Sequence, residues 1–129
     1  MEQLVIEQTK STPQVDFNAE NKMLILKGES YPENSFKFYE PILQWLDDFF
    51  LQVVDDELIK LEICLPYINT SSSKCVLMLL EKFEEASDNG KNVVINWYYD
   101  IDNENELECA EDFKEFVNLE FNIIAGYGE

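Results

Sequence analysis

The chain has 129 residues, 46% hydrophobic and 13% aromatic, which suits one domain with one core and argues against a disordered chain. Lys plus Arg number 9 against 27 Asp plus Glu, a formal net charge of −18; such a surface repels phosphate backbones and anionic lipid, excluding nucleic acid and membranes as partners. The absence of histidine removes Ser-His-Asp and Cys-His catalysis and histidine metal sites together.

At the start of the chain, Leu4 to Ile6 read as a short strand or a loose end. Nothing there has the basic region and apolar core of a signal peptide. The longest apolar run, Cys75 to Leu80, is too short to span a bilayer, so the expected compartment is the cytoplasm. Gln14–Phe17 and Lys22–Lys27 are predicted strands of a hairpin closed by the polar turn 18–21. A loop follows Gly28, and then Tyr39, Ile42, Leu43, Leu46, Phe49, Phe50 and Val53 fall at helical spacing. Pro41 predicts that this helix begins near Glu40 or kinks there. Phe36, Phe38 and Trp45 widen its apolar surface, which predicts burial between two layers.

Leu58–Leu65 is a strand apolar enough for a sheet interior. A hydroxyl-rich loop leads into a helix with Val76, Leu79, Leu80 and Phe83 on one face, stopped by Gly90 after Asp88-Asn89. Asn92–Tyr98 is a further strand, and 100–106 an acidic turn. Leu107, Ala110, Phe113 and Val117 mark a third helix, and Phe121–Ile124 a last strand. This order predicts a single α/β domain over 1–129, with a mainly parallel central sheet of about four to six strands and three main helices. In such sheets the functional surface lies at the carboxyl ends of the strands, which points to Tyr67–Lys74.

The segment 69–74 (Asn-Thr-Ser-Ser-Ser-Lys) joins a central strand to a helix. Any of Asn69, Thr70 and Ser71 can cap that helix through a side-chain oxygen. Four consecutive hydroxyls exceed what capping needs. A phosphate here would meet unpaired N–H groups and the positive end of the helix dipole. Modification would therefore add charge without unfolding the helix. The segment lacks the glycine frame of a P-loop. Asp100, Asp102, Glu104 and Glu111 approach calcium-loop spacing, but Asn105 stands where that loop needs glycine, so a solvated acidic turn is expected and no metal. Cys64, Cys75 and Cys109 have no CxxC spacing and read as reduced core thiols.

Gly28–Ser35 (GESYPENS), Tyr67–Lys74 (YINTSSSK), Trp97–Asp100 (WYYD) and Ser11-Thr12-Pro13 resemble the SiaC-type biofilm-regulation phosphoproteins of bacteria, over nearly the whole chain. That family is similar in fold to STAS-type anti-sigma-factor antagonists. The resemblance implies signal transduction by partner switching: a Ser/Thr protein kinase phosphorylates the module, a PP2C-type phosphatase reverses this, and the unphosphorylated form binds a downstream target such as a diguanylate cyclase. It implies Thr70 as phosphoacceptor, with Ser71 and Ser72 as fallbacks. Tyr31, Pro32, Glu33, Asn34, Tyr67, Asn69 and Lys74 are the implied partner-binding residues. The expected function is thus a phosphorylation-controlled interaction module with no enzymatic activity and no cofactor. The alternative is a small-molecule sensor with a pocket beside Tyr67 and Asn69, which convergent polar groups would reveal.

Overall fold

In the computed structural model, which describes residues 1–54 and 56–126, strands and helices alternate as the hydrophobic periods predict. They are β1 (Leu4–Ile6), β2 (Gln14–Asn18), β3 (Met23–Lys27), α1 (Ser35–Gln52), β4 (Leu58–Cys64), α2 (Thr70–Asp88), β5 (Asn92–Tyr99), α3 (Glu104–Phe116) and β6 (Glu120–Ala125). The strands lie in one sheet in their order along the chain. β1, β2 and β3 pair antiparallel, and β3 to β6 pair parallel. Leu4–Ile6 is therefore a strand, held at the sheet edge with Val5 opposite Asp16. The β2–β3 turn is closed by Asn18, whose Oδ1 accepts from the N–H groups of Glu20 (2.9 Å) and Asn21 (3.2 Å).

Because each crossover steps to the next strand in the same direction, right-handed connections put all three helices on one face. The side-chain alternation agrees. Val15 and Phe17, Leu24 and Leu26, Ile59, Leu61 and Ile63, and Ile95 and Trp97 are buried on the helix side, in register from strand to strand. Each fully buried aliphatic side chain contributes about 1.5–3 kcal/mol, so this row is the main source of stability. The opposite face carries Asp16, Ile25, Glu62, Asn96 and Asn122 in one cross-strand row. Glu62 accepts from Asn96 Nδ2 and from the Tyr98 hydroxyl, both at 2.7 Å, and Asn122 Nδ2 donates to Asn96 Oδ1 at 3.0 Å. Among the described residues, the helices thus cover the sheet on one side only.

Three local expectations change. α1 begins at Ser35 and runs unbroken through Pro41, instead of starting near Glu40. Asn34 caps it, its side chain accepting from Lys37 N–H at 3.1 Å. Pro41 deprives the Lys37 carbonyl of its donor, but both residues are exposed, so water can satisfy that oxygen. The wide apolar surface of α1 is not sandwiched: Phe36 stays 59% exposed. Trp45 is half-buried, stacked on Phe49 with ring centres 5.0 Å apart, and its indole N–H donates to Glu2 O at 2.9 Å. The acidic turn after β5 is also shorter than read. Asn103 caps α3, so 104–106 are helical, and Glu106 is buried, accepting from Asp100 N–H at 3.3 Å.

Candidate functional site

Three of the four motif segments meet at the carboxyl ends of β3 and β4. Ser30 forms a one-residue parallel bridge with Ile68: its N–H donates to Tyr67 O (2.8 Å) and its carbonyl accepts from Asn69 N–H (3.0 Å). Tyr31 N–H donates to Ser11 O at 2.8 Å, tying in the Ser11–Pro13 segment. Gly28 makes that approach feasible. Its φ is +132°, and a Cβ there would stand 3.0 Å from the Gln8 side chain and 3.2 Å from Pro13 Cα. Above this backbone lacing the rings of Tyr31 and Tyr67 pack edge to face, 5.7 Å apart.

Beneath it lies a cluster of hydroxyls from both helix starts. Ser30 Oγ is 2.8 Å from the Tyr39 hydroxyl and donates to Ser72 Oγ at 2.9 Å. Ser35 Oγ is 3.0 Å from Ser72 Oγ and 2.8 Å from Ser71 Oγ. Ser30, Ser35, Tyr39 and Ser72 are all buried, so each hydroxyl needs these partners, and breaking one bond leaves an unsatisfied group costing about 1–3 kcal/mol. Residues up to 42 apart in sequence are thereby locked together. Sequence reasoning puts Ser30 and Ser35 in a motif and Tyr39 on a helix face, but does not bring the three together with Ser72. The signal, hydroxyls at the starts of two helices, says nothing about those starts meeting.

Of the three candidate caps, Asn69 takes the role, accepting from Ser72 N–H at 2.9 Å. Thr70 is therefore the first residue of α2 and is exposed. Among the described residues its hydroxyl has no hydrogen-bond partner. Ser71 is exposed but tied to Ser35 and, at 3.4 Å, to Asn69 Oδ1. Ser72 is fully buried. Lys74 is exposed one turn along α2, and Glu33 is exposed beside the cap Asn34. Asn34 and Asn69 thus spend their side chains on the helix ends. Trp97–Asp100 is not part of this surface: Trp97 is 1% exposed and stacks on Phe113 (5.0 Å) and Phe121 (6.0 Å). In the acidic turn that follows, Asp100 and Asn103 spend side-chain oxygens on backbone N–H groups.

Burial pushes the Tyr39 phenol up to about 12 from its ordinary value of 10.0, the Ser30 hydrogen bond acting the other way. The unfolded chain gives up that proton near pH 10, whereas the folded chain keeps it to about pH 12. This contribution to stability is complete below pH 10 and is lost as the pH rises toward 12, by at most about 2–3 kcal/mol. Thermal melts across that range are expected to fall less steeply for Tyr39→Phe than for the parent. An unchanged slope would remove Tyr39 from the account.

The thiols are also held protonated. Burial, with Glu106 adding and Lys27 opposing, pushes Cys64 up to about 12. Burial with the Asp112 and Glu106 carboxylates pushes Cys109 up to about 11. Neither offers a thiolate at neutral pH.

Comparison with known proteins places this geometry. Residues 6–126 match the model of the SiaC family regulatory phosphoproteins. A protein of Pseudomonas aeruginosa strain UCBPP-PA14, itself uncharacterized, is 35% identical over 125 residues, covering 97% of this chain and 98% of that protein. The crystal structure of apo-SiaC from Pseudomonas aeruginosa superposes with a TM-score of 0.89 at 34% identity, over 97% of this chain and 100% of that one. A chain in the crystal structure of the diguanylate cyclase SiaD in complex with its activator SiaC, from the same organism, gives 0.89 at 35% identity, over 95% and 99% of the two chains. Among the described residues no helix is long and apolar enough to cross a membrane.

Proposed function

This chain belongs to the SiaC family of regulatory phosphoproteins, and from that premise we propose that it is a non-enzymatic interaction module switched by phosphorylation of Thr70. The observation that carries the reading is the Thr70 hydroxyl itself: exposed, unbonded, and at the first position of a helix anchored by a buried hydroxyl cluster. A kinase needs an acceptor it can reach without unfolding its substrate. Thr70 offers one, whereas Ser71 is bonded and Ser72 is buried. The unmodified form binds and activates a diguanylate cyclase, as the Pseudomonas SiaC is described as the activator of SiaD. A Ser/Thr protein kinase and a PP2C-type phosphatase set the proportion of the two forms. Tyr31, Pro32, Glu33, Tyr67 and Lys74 present the contact surface around Thr70, and Asn34 and Asn69 hold it in shape. The space beside Thr70 is an open, largely apolar groove, which suits a protein partner better than a small polar ligand.

The test uses the kinase and the cyclase of the chain's own organism. Mass mapping after incubation with kinase and ATP is expected to find one phosphate, on Thr70, and none on Thr70→Ala. Titration calorimetry is expected to find binding of the unmodified chain to the cyclase. A phosphate on another residue, or no binding, overturns the reading.

A further inference from the structure

We propose that the uncovered face of the sheet is a self-association surface, on which a second copy of this chain packs face to face to form a weak two-fold dimer. The inference does not rest on Thr70. The helices, with the hydroxyl cluster at their starts, lie on the other face, so such a dimer leaves the switch surface free.

The open face carries apolar side chains that add nothing to the core. By strand alternation and register it holds Val5, Met23, Ile25, Leu58, Val94 and Ile124. None of the six belongs to the core cluster under the helices or packs against it. Val5 is 58% exposed and Leu58 44%. The strands are otherwise built as a sheet with two dressed faces, and only one has a layer on it. Apolar groups left facing water gain by meeting another apolar surface, and two such sheets stack about 10 Å apart.

Charge selects the occupant. The chain carries −18, which opposes self-association over most of its surface. α3 alone sets six carboxylates against Lys114, a net of −5. The strands, whose charged side chains all point to the open face, set Asp16, Glu62 and Glu120 against Lys27 and Lys60, a net of −1. A basic partner would therefore gain more on the helix side, whereas two copies of this chain repel each other least through this face. Its polar groups also suit a copy of themselves. Asn96 and Asn122 each carry both donors and acceptors, so the same residues can pair across a two-fold axis.

Shape and area set the strength. A two-fold interface uses one patch twice, so that patch must carry both projections and hollows. Val5 projects at the β1 edge, and a hollow of about 300 Å³ lies over Ile25, Cys64 and Tyr98. Six strands about 4.8 Å apart, with about five residues each at 3.3 Å, give a face of roughly 450–500 Å². Two copies thus bury about 900–1,000 Å², the lower bound of a specific interface. The dimer is weak for that reason, and repulsion between the two acidic bodies weakens it further.

The test is sedimentation equilibrium of the full chain from about 5 to about 500 µM, with three variants, each checked by circular dichroism. The parent is expected to dimerise with a Kd of roughly tens of micromolar. Salt screens the repulsion between the bodies, so between about 20 and about 200 mM NaCl the Kd is expected to fall roughly threefold. Ile25→Glu puts a carboxylate near the middle of the face, and two-fold symmetry brings it in twice. Val5→Lys replaces the projecting valine on an edge strand, where lysine is well tolerated. Each is expected to raise the Kd about tenfold or more, and Leu51→Asp, at an 86% exposed position on α1, to leave it unchanged. Since Val5 is exposed, its variant reads the proposal even if Ile25→Glu fails to fold. A parent that stays monomeric at about 500 µM in both salts overturns the proposal. So does parent-like association of the folded open-face variants, an equal loss in Leu51→Asp, or an association that salt weakens.

Discussion

Phosphorylated on Thr70, the protein is expected to bind its diguanylate cyclase about a hundredfold more weakly, a loss of about 3 kcal/mol, while its melting temperature holds or rises slightly. Two local facts separate the effects. The phosphate sits on the first residue of α2, where unspent N–H groups and the helix dipole favour negative charge by about 0.3–1 kcal/mol. At an interface the same dianion must shed its water, and on a chain already carrying −18 it meets more carboxylates than cations.

The cap assignment makes the control clean. Because Asn69 and not Thr70 caps α2, Thr70→Ala removes no capping bond and is expected to cost less than about 0.5 kcal/mol. Thr70→Ala should therefore bind the cyclase at parent affinity and resist the kinase. Asn69→Ala, in contrast, should cost about 1 kcal/mol of stability. Thr70→Asp brings one charge and fewer acceptor oxygens, so its loss of affinity is expected to fall between the two forms. Calorimetry with all four proteins, beside their melts, reads both effects. Equal affinity of the phosphorylated and unmodified chains would place the switch elsewhere.

The second large effect is on stability, at Trp97. This residue belongs to a family-like motif, yet it is 1% exposed and stacked between Phe113 of α3 and Phe121 of β6. Trp97→Ala removes the largest side chain joining α3 to the sheet, and is expected to cost about 3–5 kcal/mol. For a chain of this length that corresponds to a fall of roughly 10–20 °C in Tm. Trp97→Phe keeps a stacking ring and should lose less than half as much. At a temperature where both variants are folded, their affinity for the cyclase should be close to the parent's. A folded Trp97→Phe that fails to bind would assign the motif to recognition and not to packing.

Much of this architecture was legible in the chain itself. Alternating apolar residues such as Val15 and Phe17, or Leu24 and Leu26, show strands. The spacing of Val76, Leu79, Leu80 and Phe83 shows a helix, and Asp88-Asn89-Gly90 shows where it stops. These signals are local: they record which side of a segment is apolar and where backbone hydrogen bonding is interrupted. The placement of the hydroxyl-rich segment at the end of a central strand follows from the same order of elements.

Other features depend on which segments become neighbours. Pro41 reads as a helix start until Asn34 caps the chain seven residues earlier and the freed Lys37 carbonyl faces water. Asn69, Thr70 and Ser71 are equivalent caps by composition. They part only when Ser71 and Ser72 are drawn into bonds with Ser30 and Ser35, leaving the Thr70 hydroxyl outside. Whether the sheet is covered on one side or two depends on the direction of every crossover, which no hydrophobic period encodes. Sequence alone thus determined the elements, their apolar faces and the segment at issue. The tertiary structure decided which of Thr70, Ser71 and Ser72 keeps an exposed and unbonded hydroxyl, because a hydroxyl's partners lie on distant stretches of chain that only the finished sheet brings together.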